Sequence, residues 1–350
     1  MFAMQYKDLP IQCAALASGS TPPGVRPMFD LAQLRQSAQL VHRHMAPTPQ
    51  LAWPLLAQRL GCEVWVKHEN HAPTAAFKVR GGLVYIDALL RREPQVRGLV
   101  TATRGNHGQS LALAARQAGL AIRILVPHGN AREKNAAMRA LGAEVIEHGR
   151  DFDEARAEAA RLAERDGLHW VPSLHEDLVR GVATYALELL EAVPNLRRVY
   201  VPIGLGSGIC GMIRTRDLLG LDTEIVGVVA SGADAYAQSF EQGREVQTER
   251  ADTLADGMAC RQPQPLALDM IRAGAARIVR VSDEEIRAAI RAYHEDTHNL
   301  AEGAGAAALA ALMQERERNA GQRVAVVLSG ANIDRRALAE LLLDEEAAAA

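Results

Sequence analysis

Short apolar runs alternate along this chain with longer stretches whose apolar residues recur at helical spacing. The runs predict strands over Glu63–Lys67, Leu99–Thr103, Ile122–Pro127, Glu144–Glu147, His169–Pro172, Val199–Ile203, Ile225–Val229, Ile278–Val281 and Val324–Leu328. Between them, helical patterns cover Gln109–Gln117, Arg132–Leu141, Phe152–Arg165 and Leu178–Ala192. Ser282 followed by Glu285 reads as a capping box that opens a helix running to about Thr297. Such alternation predicts an α/β protein with parallel sheets flanked by helices on both faces. The first 45 residues, with the turn Thr21-Pro22-Pro23-Gly24, read as irregular, and the end after Glu345-Glu346 reads as a frayed tail. No fixed-period repeat is present.

Bulk properties narrow the class. A length of 350 residues suits one large domain or two ordinary ones, and 48% hydrophobic with 23% charged residues suits a soluble globular protein. The net charge of −3 gives no reason to expect a nucleic-acid or membrane partner. No apolar run approaches the roughly 20 residues that span a bilayer. No basic segment followed by an apolar one opens the chain, so no secretory signal is expected. Cys13, Cys62, Cys210 and Cys260 are far apart, which argues against a metal site or disulfide framework and for a reduced cytoplasmic setting. Of the 39 basic residues only Lys7, Lys67, Lys78 and Lys134 are lysine. Genome composition accounts for that, but it has a chemical consequence. Imine chemistry needs an amine that can lose its proton, which a guanidinium cannot do. Only those four side chains qualify.

Ligands in such folds sit beyond the carboxyl ends of strands. Four clusters lie there. Ala76-Phe77-Lys78-Val79-Arg80-Gly81-Gly82 puts an amine among apolar neighbours, which would lower its pKa; a surface lysine lying along apolar residues is the other reading. Thr103-Arg104-Gly105-Asn106-His107-Gly108-Gln109 follows a strand and opens a helix, so its amides could hold a carboxylate and Asn106 could donate to a ring oxygen. An ordinary strand–helix turn fits it equally well. Gly204-Leu205-Gly206-Ser207-Gly208-Ile209-Cys210-Gly211 lets backbone approach a phosphate at a helix start. Gly206 to Gly211 also match GxGxxG. The next strand, however, ends in Ala230-Ser231 with no carboxylate for a ribose, which favours a phosphate monoester over a dinucleotide. Finally, Ser329 in Leu328-Ser329-Gly330-Ala331-Asn332 offers a neutral hydroxyl to a pyridine nitrogen, or marks a simple strand–turn junction.

Together the four clusters resemble the fold type II pyridoxal 5′-phosphate (PLP) enzymes, in the threonine/serine dehydratase and serine racemase branch. The likeness runs from about Met28 to Leu342. It includes Pro47-Thr48-Pro49, Lys67-His68-Glu69-Asn70, NAAMRALGAE from Asn135 to Glu144, Thr253-Leu254-Ala255-Asp256-Gly257 and Ala301-Glu302-Gly303-Ala304-Gly305. The resemblance implies that Lys78 is the Schiff-base lysine and Phe77 its neighbour in the cofactor site. It implies that Gly204, Leu205, Gly206, Ser207 and Gly208 bind the phosphate, that Asn106 contacts the phenolic oxygen and that Ser329 contacts the ring nitrogen. Thr103, Arg104, Gly105, Asn106 and His107 would receive the carboxylate of an amino acid substrate. Glu302 either lies near the ring or substrate, or is a carboxylate at a helix N-terminus.

Several positions depart from the family pattern. Ala76 replaces the usual serine. Leu205 and Ser207 interrupt a four-glycine loop. Val229 stands where an acidic metal ligand is often found, so no metal is expected. Arg104 stands where racemases carry the serine that acts as second acid/base, and a guanidinium cannot take a proton from carbon. Elimination is therefore expected over racemization, with Lys78 as the sole base. The implied activity is an ammonia-lyase that dehydrates and deaminates a β-hydroxy amino acid, threonine or serine by default. An inward Arg104 would instead select 3-hydroxyaspartate or 3-phenylserine. β-Replacement by a thiol, and a nucleotide-binding module without catalysis, are the other readings. The expected organisation is a large domain of residues 1–97 and 175–350, a small mobile domain of residues 98–174, no C-terminal regulatory domain, and a homodimer.

Overall fold

The computed structural model describes residues 28–343. The Thr21–Gly24 turn, Lys7, Cys13 and the tail from Glu345 lie outside the described residues. Each of the nine predicted runs forms a strand, with ends shifted by no more than two residues. In chain order the strands are β1 (Gln50–Ala52), β2 (Glu63–His68), β3 (Gly98–Ala102), β4 (Ala121–Val126), β5 (Glu144–Glu147), β6 (His169–Trp170), β7 (Arg198–Pro202), β8 (Glu224–Ala230), β9 (Arg277–Val281) and β10 (Arg323–Leu328). They form a six-stranded sheet in the order β1-β2-β10-β7-β8-β9 and a four-stranded sheet in the order β5-β4-β3-β6. All pairings are parallel except that of β1 with β2.

Two sequence expectations need correction. The stretch read as irregular contains a helix, Leu31–His42, opened by a reciprocal capping box between Asp30 and Gln33. Its buried stripe of Leu34, Ala38 and Val41 has the spacing of one helix face. The three-residue edge strand β1 was also not anticipated. It is too short to show a period, and its Leu51 is exposed.

The strand order explains how distant clusters meet. β2, β10 and β7 are parallel neighbours in one sheet, so the loops leaving their carboxyl ends lie side by side. These loops carry Lys78, Ser329 and the glycine-rich turn. The Thr103–Gln109 turn leaves β3, an inner strand of the four-stranded sheet. The helices Lys78–Arg92 and Asn106–Gln117 pack closely enough that a Cβ at Gly82 would collide with Ser110. Ser110 Oγ donates to the Lys78 carbonyl at 2.6 Å.

Beneath the lysine helix lies a buried ionic cluster. Arg80 is fully buried and donates to Glu69 Oε2 at 2.8 Å and Glu188 Oε1 at 2.6 Å. Lys67 reaches Glu188 Oε2 at 2.6 Å and the Thr48 carbonyl at 2.8 Å. Thr48 Oγ1 donates to Glu69 Oε1 at 2.5 Å. Burial alone would raise the pKa of Glu188, but Arg80, Lys67 and a hydrogen bond to His42 hold it down at about 2. Among the described residues, no helix is long and apolar enough to cross a membrane, and no group of three or more His, Cys, Asp or Glu residues could hold a metal ion.

Candidate active site

Lys78 is the first residue of its helix, and its amine lies 3.1 Å from Ser207 Oγ and 4.9 Å from the centre of the Phe77 ring. No carboxylate among the described residues stands within ion-pair distance of it. Burial pushes the amine down to about 8. The other two described lysines differ. Burial lowers the Lys67 pKa despite its partners Glu69 and Glu188. Lys134 also loses from burial, but Glu302 and Asp256 outweigh that and raise it. Lys78 is thus the described lysine with a depressed pKa and no anionic partner. Because lysines are so few, reductive methylation of the apoprotein with ¹³C-formaldehyde should give a resolvable set of dimethyl-lysine signals. The Lys78 signal should titrate with a midpoint near 8, protonated below and free amine above; a midpoint near the ordinary 10.5 would contradict its burial.

Ser207 opens the helix Ser207–Leu218, whose first internal bond runs from the Cys210 amide to the Gly206 carbonyl. The amides ahead of it are free for an anion. Gly206 has φ +97°, and a Cβ there would approach the Ala267 Cβ to 2.5 Å. A Cβ at Gly204 would strike the Gly257 carbonyl. Tyr236 Oη donates to the Leu205 carbonyl at 3.0 Å, and Tyr185 Oη donates to the Gly208 carbonyl at 3.0 Å. The Tyr185 ring also packs edge-on against Phe77. These tyrosines fix the turn from distant helices. Neither was singled out from sequence, since a buried tyrosine carries no local signal of its partner.

At the end of β10, Ser329 is buried and its hydroxyl donates weakly to the Ala304 carbonyl at 3.3 Å. Its own carbonyl accepts from the Phe77 amide at 3.1 Å, and Ala76 bridges to Gly330. Ala75 takes a positive φ of 51° just before this bridge. The backbone leading into Lys78 is therefore pinned to the Ser329 turn.

The helix after β3 begins at Asn106, three residues earlier than its apolar pattern indicated, so Asn106 and His107 lie in its first turn. Asn106 Nδ2 donates to Glu302 Oε1 at 2.6 Å, and its Oδ1 accepts from Asn332 Nδ2 at 2.8 Å. Thr103 Oγ1 accepts from the Gly105 amide at 3.1 Å. Arg104 is exposed. His107 is buried, hydrogen-bonded to the Pro172 backbone, and leaves Nε2 without a partner. Burial, aided by the nearby Lys78 charge, pushes it down to about 3, so the ring is neutral. Glu302 occupies the N-cap position of the helix Gly303–Gln314, but its side chain makes no capping bond. It turns instead to Asn106, and burial pushes it up to about 7 against the pull of Lys134.

The arrangement joins a poised amine, a helix start able to hold a phosphate, an amide and a neutral hydroxyl. Residues 41–330 match the family described as pyridoxal-phosphate dependent enzymes. The chain is 33% identical over 308 residues to an L-threonine ammonia-lyase of Thermotoga maritima, covering 88% of this chain and 76% of that one. Its fold is similar to that of a pyridoxal 5′-phosphate-dependent aspartate racemase, with a TM-score of 0.84 and 27% identity over 88% of this chain and 97% of the other. It is similar too to the processed threonine deaminase isoform 2 of Solanum lycopersicum, with a TM-score of 0.83 and 28% identity over 95% and 99% of the two chains. The chain belongs to the pyridoxal-phosphate dependent enzymes of fold type II, in their threonine/serine dehydratase family.

Proposed function

We propose that the protein is an ammonia-lyase that removes the β-hydroxyl and then the amino group of a β-hydroxy amino acid, threonine or serine by default, releasing a 2-oxo acid and ammonia. The carrying observation is the Lys78 amine, lowered to about 8 and held by a hydroxyl rather than a carboxylate. The L-threonine ammonia-lyase relative supports the substrate class.

The residues present fit pyridoxal phosphate. Lys78 can carry it, and the free amides before Cys210 with the Ser207 hydroxyl can hold its phosphate. The Cβ position at Gly208 has only ordinary contacts, at 3.4 Å to Tyr185 Oη and 3.8 Å to Phe77 Cε2. Asn106 and Ser329 are the polar groups for the two ends of the ring. When bound, the cofactor supplies an electron sink for the charge left at the α-carbon. Lys78 then takes the α-proton, for which an amine near its pKa at working pH is suited. The Thr103–His107 turn receives the carboxylate at the start of the Asn106–Gln117 helix. His107, being neutral, adds no second cation there. Arg104 offers no base on carbon, which leaves Lys78 alone and favours elimination over racemization.

Residues 98–174 form the smaller domain in this reading and close over the substrate. A cytoplasmic homodimer completes it. The test is a substrate panel of threonine, serine, 3-hydroxyaspartate and 3-phenylserine, with 2-oxo acid detection, for the native enzyme and Arg104→Ala. Threonine and serine should lead, with relative rates unchanged by Arg104→Ala. A native preference for 3-hydroxyaspartate or 3-phenylserine that collapses in the variant would move selection to Arg104. A protein that takes up no PLP but binds NAD tightly would replace the proposal with a nucleotide-binding module.

A further inference from the structure

Lys134 sits outside the four clusters, yet its side chain is buried and crosses from one sheet unit to the other. It belongs to the helix Arg132–Ala140, which connects β4 to β5 of the four-stranded sheet. Its amine lies 2.5 Å from Asp256 Oδ2 and 3.8 Å from Glu302 Oε2. Asp256 lies in a short turn between β8 and β9, and Glu302 precedes a helix packed on the six-stranded sheet. On the way, the lysine stem passes directly under Gly105. A Cβ at Gly105 would come within 2.6 Å of Lys134 Cδ. Glu302 in turn holds Asn106, and a Cβ at Gly330 would approach Glu302 Oε1 to 2.5 Å. Glu302 Oε2 is buried with no hydrogen-bond donor of its own, which leaves the Lys134 charge as its compensation.

We propose that Lys134 is a positioning residue that fixes the Thr103–His107 turn by bridging it to Asp256 and Glu302. The glycine at 105 is what lets the stem pass. The ion pairs tie the four-stranded unit to the six-stranded one at the substrate-carboxylate turn. Loss of the bridge leaves the fold intact and loosens that turn. The role assigned to the turn rests on the proposed function; the bridge itself does not.

The test uses full-length protein as purified, with Lys134→Met and the milder Asp256→Asn. Amide hydrogen exchange should quicken at least about tenfold in residues 103–109 for both variants, while β3 and β4 exchange as before. Binding of L-alanine, an amino acid without a β-leaving group, should weaken about tenfold as followed by cofactor absorbance. Unchanged exchange at 103–109 in both variants overturns the proposal. Faster exchange spread over β3 and β4 also overturns it, because that is a general loss of stability. If Lys134→Met does not fold, Asp256→Asn decides. If native protein shows no cofactor absorbance, the proposed function fails, and exchange at 103–109 still decides the bridge.

Discussion

Replacing Lys78 with alanine should lower 2-oxo acid release by more than about a thousandfold and abolish the visible absorbance of the lysine-bound cofactor in the same step. Two losses should coincide, because in the proposed reaction one amine both carries the cofactor and moves the α-proton. The other described lysines cannot stand in. Lys67 is spent on Glu188, the Thr48 carbonyl and Gln50, at 2.6, 2.8 and 3.1 Å. Lys134 is spent on Asp256. The folded state should survive, since Lys78 makes a single side-chain hydrogen bond, to Ser207 Oγ, and no ion pair among the described residues. Far-ultraviolet circular dichroism should be close to native, and the urea midpoint close to that of the native apoprotein, since the bound cofactor itself stabilises the fold. Turnover of threonine at the native rate by Lys78→Ala would remove this lysine from the chemistry.

The largest effect on stability should come from Arg80→Met. Arg80 neutralises two buried carboxylates, Glu69 and Glu188, and also donates to the Thr184 hydroxyl at 3.0 Å. Removing one member of a buried ionic cluster leaves a charge uncompensated, at a cost of about 3–5 kcal/mol. Lys67 would then face both acids, helped by the His42 hydrogen bond to Glu188. The urea midpoint should fall accordingly, and adding Glu69→Gln should recover part of the loss. The pH dependence has a definite sign. The Glu188 pKa in the fold is depressed, from 4.5 to about 2, so its contribution is present above about 4.5 and is lost as pH falls towards 2. In Arg80→Met that part of the acid sensitivity should shift to higher pH. A variant as stable as the native protein at pH 7 would contradict the cluster's role.

Much of the fold was legible because buried parallel strands announce themselves as apolar runs. The strand ends read as candidate sites because glycine, serine and asparagine interrupt those runs where backbone could approach a ligand. The helix Leu31–His42 is hard to read from sequence because its apolar stripe is modest and its Asp30–Gln33 box lies close to a Gly- and Pro-rich stretch. β1 was missed because three residues carry no period. The site's supports were least legible. Tyr185, Tyr236 and Ser110 act through backbone groups far away in sequence, and only the packing of helices brings them there. The alternative readings of Glu302 illustrate the same limit: it does stand at a helix N-terminus, in the N-cap position, yet its carboxylate serves Asn106.

Lys78 should be the residue that carries the cofactor. Borohydride reduction of the purified holoenzyme, followed by peptide mass mapping, locates the lysine that bears the pyridoxyl phosphate. The adduct should lie on the peptide containing Lys78 and on no other; an adduct on Lys7, Lys67 or Lys134, or none at all, would contradict the account.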